Sequence, residues 1–362
     1  MKRIAYYISD HGYGHAARSI AVIKRMIHDN SDIEVIVNCS YPLQFVIDTL
    51  VNEERVKFRR VRNDFGYYTD GNFEIDIDKT ETRLKLCLGN IDSYIRSESK
   101  FSKKKDIDLI ISDISAKPFE VAEKVEIPSI GISNFTWWEV YRDMIGDTKE
   151  VEKIKNMYQK ADLGLKLPLD TDSSPFTEEK EVGLVAREPT RSYSEMREVL
   201  NHSEDKSLVY FSHGKSVNEN NGFNIEIPDS LKSEMNLMSF SDNPIIKNPD
   251  YVIQEDENDV QDYIAASDLV ISKFGYSTVA EAIRTKKPMI LTKRDIIEDK
   301  AGLKKLKEWN IVREITRADF MEGNWLDDVG EVLKYQRNYE DIPDRFKRDG
   351  IKDVISNVEQ FF

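Results

Sequence analysis

Residues 6–26 read YYISDHGYGHAARSIAVIKRM, and two of the chain's five histidines fall inside this stretch. The short apolar run RIAYYIS (3–9) leads into it and reads as a buried strand. Ala16, Ile20, Ile23 and Ile27 then recur at helical spacing. The stretch is therefore a strand, a tight polar loop and a helix. In an open α/β sheet, ligands bind beyond the carboxyl ends of the strands, where this loop lies. Gly12 and Gly14 let the backbone turn sharply and approach a ligand. The helix that follows offers unpaired N–H groups, which favour negative charge. Residue 17 is alanine and the glycines are only two apart, so a G-x-G-x-x-G dinucleotide fingerprint is not supported. His15, at the helix start, is a candidate general base or a residue bonding a nearby backbone group. Arg18, one turn on, is placed to pair a carboxylate or phosphate, or to sit exposed on the helix.

The same alternation continues along the chain. IEVIVN (33–38), VKFRRV (56–61), IDLIIS (107–112), IPSIGIS (127–133) and ADLGLKL (161–167) read as strands, and residues 116–124 as a helix. Short apolar runs alternating with helices mean a parallel sheet covered on both faces. The polar stretch PLDTDSSPFTEEKE (168–181) interrupts the pattern. The pattern restarts with SLVYFS (207–212), LMSF (237–240), YVIQ (251–254), DLVIS (268–272) and PMILT (288–292). Ile351, Val354, Ile355 and Val358 mark one face of a terminal helix. The expected fold is α/β, with two Rossmann-like doubly wound domains facing across a cleft. Residues 1–168 form the first domain, 169–181 a linker, 182–335 the second domain, and 336–362 a C-terminal helical segment that packs back on the first domain.

A second strand–loop–helix unit lies at ASDLVISKFGYSTVAEAIRTKKPMILT (266–292). Gly275 gives close approach, while Ser277 and Thr278 add hydroxyl donors to the helix N–H groups. Glu281 has two readings. Thr278-Val279-Ala280-Glu281 fits a capping box, and a carboxylate there also suits ribose hydroxyls. Gly214, with His213, follows another strand end and faces the cleft in the functional reading.

Composition bounds the function. The 362-residue chain carries a net charge of −14, which argues against a general nucleic-acid binder. KFSKKKD (100–106) and AGLKKLKEW (301–309) are local basic runs. They read as solvated surface, and leave a peripheral membrane contact open. Cys39 and Cys87 alone make neither a disulfide framework nor a metal cluster. No apolar run approaches a membrane-spanning length, and the N-terminus has no signal core, so a cytoplasmic protein is expected.

The two glycine loops together resemble the GT-B-type glycosyltransferases. GYGHAARS (12–19) is similar to their N-terminal glycine–histidine loop, and ASDLVISKFGYSTVAEAIRTKKPMIL (266–291) to their donor-nucleotide motif. GLVAREPTRSYSEMREVL (183–200) is similar to the entry to their second domain. ISNFTWWEVY (132–141) resembles a segment in the glycosyltransferase-like domain of plant arabinokinases, whose sugar-kinase domain has no counterpart here. The resemblance implies a hexosyltransferase-like inverting enzyme that takes a nucleotide sugar, UDP-sugar by preference, as donor. The acceptor is a sugar, a lipid or a small molecule. It implies no cofactor and no metal. His15 matches the base near the acceptor hydroxyl, and Asp113, in DLIISDISAKPFEVAEKVEIP (108–128), matches the aspartate that orients it. Outside the resemblance Asp113 reads as a helix N-cap. Gly275, Ser277 and Thr278 match donor-phosphate contacts, Glu281 the ribose carboxylate, and residues 260–263 the surroundings of the base. Trp137 and Trp138 are adjacent, so both are not expected on one core face; Trp137 is assigned to the cleft, with Gly12, Gly14 and Arg18. DID at 76–78 and 106–108 reads as charged loop. Two departures stand out: Lys273-Phe274 replaces small residues before the phosphate loop, and a short Asn-rich stretch follows LVYFSHGKSV (208–217). A nucleotide-sugar hydrolase or epimerase of the same fold, and a non-catalytic nucleotide-sugar-binding protein, remain as alternatives.

Overall fold

The computed structural model describes residues 1–69, 75–214, 225–243, 245–254 and 256–362. The Asn-rich stretch lies largely at 215–224, outside the described residues.

The first sheet is built from β1 (Lys2–Ile8), β2 (Ile33–Cys39) and β3 (Val56–Arg60). A small antiparallel pair, β4 (Tyr68–Thr69) and β5 (Ile75–Asp76), stands apart from it. The sheet continues with β6 (Leu109–Asp113), β7 (Ser129–Ser133), β8 (Leu163–Lys166) and β9 (Glu179–Glu181). Its order is β3-β2-β1-β6-β7-β8-β9, and every pairing is parallel. Ile4 through Ile8 are fully buried, as a strand covered on both faces must be. Tyr6 pairs with Val37 on one side and Ile111 on the other. The chain reverses direction of winding between β1 and β6, and the loop after β1 opens at that switch point.

The second sheet repeats the plan. Its strands are β10 (Ser207–Ser212), β11 (Met235–Phe240), β12 (Tyr251–Ile253), β13 (Leu269–Lys273), β14 (Met289–Thr292) and β15 (Val312–Glu314). The order β12-β11-β10-β13-β14-β15 is again all parallel, with its switch point between β10 and β13.

The linker expected at 169–181 is corrected at its end. Glu179–Glu181 pairs with β8 and adds an edge strand to the first sheet. Its side chains are all charged and exposed, which is what an edge strand tolerates and what hid it from apolar patterning. The helix Gly350–Val358 buries Ile351, Val354, Ile355 and Val358, and packs beside the helix Tyr13–Asp29 of the first half. Lys305, from the second half, donates to the Asp170 backbone carbonyl at 2.6 Å and to its carboxylate. Arg345 donates to the Lys166 carbonyl at 2.7 Å and to Glu181 at 3.0 Å. These bonds tie the halves together at the back of the cleft. Lys305 and Lys307 of the second basic run are thus engaged by Asp170 and Glu314. No helix among the described residues is long and apolar enough to cross a membrane.

Candidate functional site

The β1 strand ends at Ile8, and Gly12 then adopts φ 86°, ψ 176°, a conformation all but reserved for glycine. That turn sends the chain into the helix Tyr13–Asp29, whose first turn has no side-chain cap and no acidic residue. His15 sits in this turn. Its Nδ1 lies 3.0 Å from Asp113 Oδ1, at the end of β6. Arg18 grips the same carboxylate with both arms: Nε to Oδ2 at 2.7 Å and Nη2 to Oδ1 at 2.8 Å. Its third nitrogen donates to Asn134 Oδ1 at 2.6 Å.

Asp113 is fully buried and Arg18 is only 2% exposed, so the pair is held out of water. Burial pushes the Asp113 carboxyl up, but the Arg18 charge and the bonds from His15 and Arg18 outweigh it and hold it below its usual value. An ionised carboxylate only accepts, so a bond to His15 needs the ring proton on Nδ1 and leaves the Nε2 lone pair free. Arg18 neutralises Asp113, so the aspartate's effect on His15 is chiefly orientation. The N-cap reading of Asp113 is not realised, because Ala116 holds that place before the helix Lys117–Val125.

The second loop faces the first. Gly275 is the uncapped N-cap of the helix Tyr276–Arg284, and a Cβ built there meets nothing within 4 Å. Ser277 Oγ donates to the Gly14 carbonyl at 2.7 Å, so the two helix starts touch. The Arg18 guanidinium lies 4.9 Å from the centre of the Tyr276 ring. Glu281 does not cap its helix. The helix begins at Tyr276, so Thr278 is already inside it, and Glu281 accepts instead from Arg187 Nε at 2.6 Å. Arg187 also donates to the Asn258 carbonyl at 2.7 Å.

Between the loops is a cavity of about 430 Å³, lined from both halves. Gly12, Gly14, His15 and Arg18 border it on one side, and Gly214, Gly275, Ser277, Thr278 and Glu281 on the other. The size suits a small-molecule ligand.

Trp137 is corrected. It is 2% exposed and absent from the cavity wall. A capping box between Thr136 and Glu139 fixes the helix start and turns the indole inward. There its Nε1 donates to Asp64 at 3.0 Å, and its ring meets His11 edge-on at 5.2 Å. Trp138 is buried as well, beneath Arg142 and Lys155. His213 is buried behind Gly214 and does not line the cavity. The DID aspartates serve the scaffold: Asp76 caps a helix by accepting from Lys79 N at 2.9 Å, and Asp108 accepts from Arg3 N at 2.8 Å.

Several cavity residues had no role in the sequence reading. His11 lies between Gly66 and the cavity, with Tyr67 at 4.4 Å. Burial, then the charges of Arg294, His15 and Lys273, hold it well below the usual imidazole value, so it is neutral. Lys273 ends β13 at the cavity wall, and burial followed by Arg294 pushes its amine down to about 7. Arg294 follows β14, pairs with Asp299 at 2.6 Å and donates across the cleft to Tyr67 Oη at 2.8 Å. Glu298, also in the wall, accepts from Asn134 at 3.2 Å, and burial raises its carboxyl. Strand-end position was the available signal for Lys273 and Arg294.

A model of the glycosyltransferase family 28 C-terminal domain matches residues 196–299. An L-arabinokinase of Arabidopsis thaliana is 24% identical over 343 residues, which cover 93% of this chain and 32% of that protein. The chain therefore spans about a third of that relative's length. Among solved structures, the glycotransferase of kitacinnamycin superposes with a TM-score of 0.69 at 12% identity, over 100% of this chain and 99% of that one. Phytolacca americana UGT2, complexed with UDP-2fluoro-glucose and pterostilbene, gives 0.66 at 11% identity over 99% of both chains. Acinetobacter baumannii MurG gives 0.57 at 14% identity, over 99% of this chain and 100% of that one. The chain thus shares the GT-B fold with these structures, and its residues 196–299 match the family 28 C-terminal domain.

Proposed function

We propose that the chain transfers a sugar from a nucleoside diphosphate sugar to an acceptor hydroxyl, with inversion, and that the nucleotide is UDP. The observation that carries this reading is the single cleft in which His15 faces the open start of the helix Tyr276–Arg284. His15 Nε2 takes the acceptor proton as the acceptor oxygen attacks the anomeric carbon. The bond from that carbon to the diphosphate oxygen breaks on the opposite face, and the diphosphate leaves with the electron pair. One displacement inverts the centre. Negative charge grows on the diphosphate, where the helix N–H groups, Thr278 and Lys273 oppose it, while the Ser277 hydroxyl stays with the Gly14 carbonyl. Glu281, steadied by Arg187, receives the ribose hydroxyls. A UDP sugar in the Phytolacca protein, which has the same fold, supports the choice of nucleotide.

The test is UDP release from UDP-sugars against a panel of sugar, lipid and small-molecule acceptors. His15→Ala is expected to slow transfer by about 10²–10⁴-fold, the range for a lost general base. Its nucleotide affinity should stay within about twofold, because His15 faces the acceptor. Transfer at a near wild-type rate would remove the base assignment. Rapid loss of donor without acceptor would instead favour hydrolysis.

A further inference from the structure

A second cavity, of about 360 Å³, opens on the second half away from the cleft, where the segment after Arg187 crosses the ends of two helices. Lys287, Arg191, Ser192, Tyr193 and Thr285 line it. Lys287 is only 6% exposed, and among the described residues its ammonium makes no hydrogen bond and no close ion pair, with Asp268 acting on it from a distance. It rests over the Tyr193 ring, 4.9 Å from the centroid. Arg191 is exposed at the mouth, and among the described residues its bonded partner is Met196 Sδ at 3.6 Å.

The carboxylates nearby are already committed. Asp268 accepts from Arg197 at 2.6 Å and from Leu208 N at 2.8 Å. Asp262 accepts from Thr190 N and Oγ1, each at 2.6 Å. Glu195 accepts from Ser192 N at 2.8 Å. Two cations thus line one cavity, and Asp268 and Glu195 act on Lys287 and Arg191 through space without bonding them. A buried ammonium without an acceptor is costly, and burial pushes the Lys287 amine down to about 8, with Asp268 pulling it back. Ser192 accepts a bond from Glu195 N, and its hydroxyl bonds the Glu195 carboxylate in turn, which holds that carboxyl below its usual value.

We propose that this cavity is a phosphate-group site, separate from the donor cleft, in which Lys287 and Arg191 hold a tetrahedral oxyanion. A phosphate offers several acceptor oxygens to converging donors and compensates both charges at once. Thr285 ends the helix whose other end carries Ser277 and Thr278, so the site lies at the far end of an element that borders the cleft. The proposal does not depend on the reaction assigned to that cleft.

The experiment is calorimetric titration of the full chain with inorganic phosphate, and separately with glucose 1-phosphate, each with and without UDP present. Saturable phosphate binding that persists with UDP is expected. Glucose 1-phosphate binding equally well would identify an esterified phosphate as an acceptable source; phosphate alone would restrict the site to the free ion. Lys287→Met should weaken binding by about tenfold or more, and Lys287→Arg by no more than about threefold, since the first removes a charge-assisted bond and the second keeps it. Arg191→Gln, at an exposed position, gives a folded variant whatever Lys287→Met does, and should also weaken binding. No saturable binding up to about 50 mM, a weaker affinity than any specific site would have, overturns the proposal. So does unchanged affinity in both Lys287→Met and Arg191→Gln.

Discussion

Asp113 serves two partners, and their losses should differ. Removing its charge by Asp113→Asn strands the Arg18 guanidinium in a fully buried place. Breaking such a pair costs about 3–5 kcal/mol, so a large fall in thermal midpoint is expected beside the loss of transfer. His15→Ala leaves that pair intact and should lose transfer with little change in stability. Equal stability of the two variants in a melting experiment would contradict this division. Lys273 gives a pH signature. Its amine sits near 7 when the cleft is empty, and a diphosphate favours the protonated form. Above pH 7, binding must take up a proton, so UDP affinity should fall as pH rises from 7 to 9, by up to about tenfold per unit. Lys273→Met should flatten that slope. His15 and Arg18 were legible because they stand one turn apart beside a glycine loop. Asp113 lies 98 residues away from His15, and no local pattern joins them; only the family likeness did. His11 was visible in the same loop, but its lowered value comes from burial, then from charges that include Arg294 and Lys273, which the fold brings from the other half.

At the scale of the element, the two loop glycines do different work. Gly12 holds φ 86°, while a Cβ there meets nothing within 4 Å. Gly12→Ala should therefore cost about 1–3 kcal/mol through backbone strain alone. Gly275 holds φ −163°, an extended conformation any residue adopts, and faces open space. Gly275→Ala should leave the melting temperature nearly unchanged and weaken UDP binding, because the methyl group occupies the path of the phosphate. Melting curves and UDP titrations of both variants check the contrast. Strand–loop–helix units were readable from apolar runs and glycines. The capping pattern at Thr278–Glu281 left two readings open, because spacing alone does not reveal where a helix begins. The helices Ile77–Gly89 and Ile91–Lys104 went unread, being rich in charge and only partly buried.

Across the whole molecule, two doubly wound sheets present their switch points to one cleft. Alternation along the chain made both sheets legible. Their mutual placement was not, since it rests on bonds between distant residues: Ser277 to Gly14, Arg294 to Tyr67, Lys305 to Asp170. Trp137 illustrates the limit, because a capping box buried a side chain that adjacency alone had assigned to the cleft. The central claim is that a nucleoside diphosphate lies in this cleft, held by the second half and faced by His15. Calorimetric titration of UDP into the wild type, His15→Ala and Glu281→Gln tests it most directly. The account predicts equal affinity for the first two and a loss of about tenfold for the third, the effect of a weakened charged hydrogen bond. Absence of UDP binding to the wild type, or an undiminished affinity in Glu281→Gln, would contradict it.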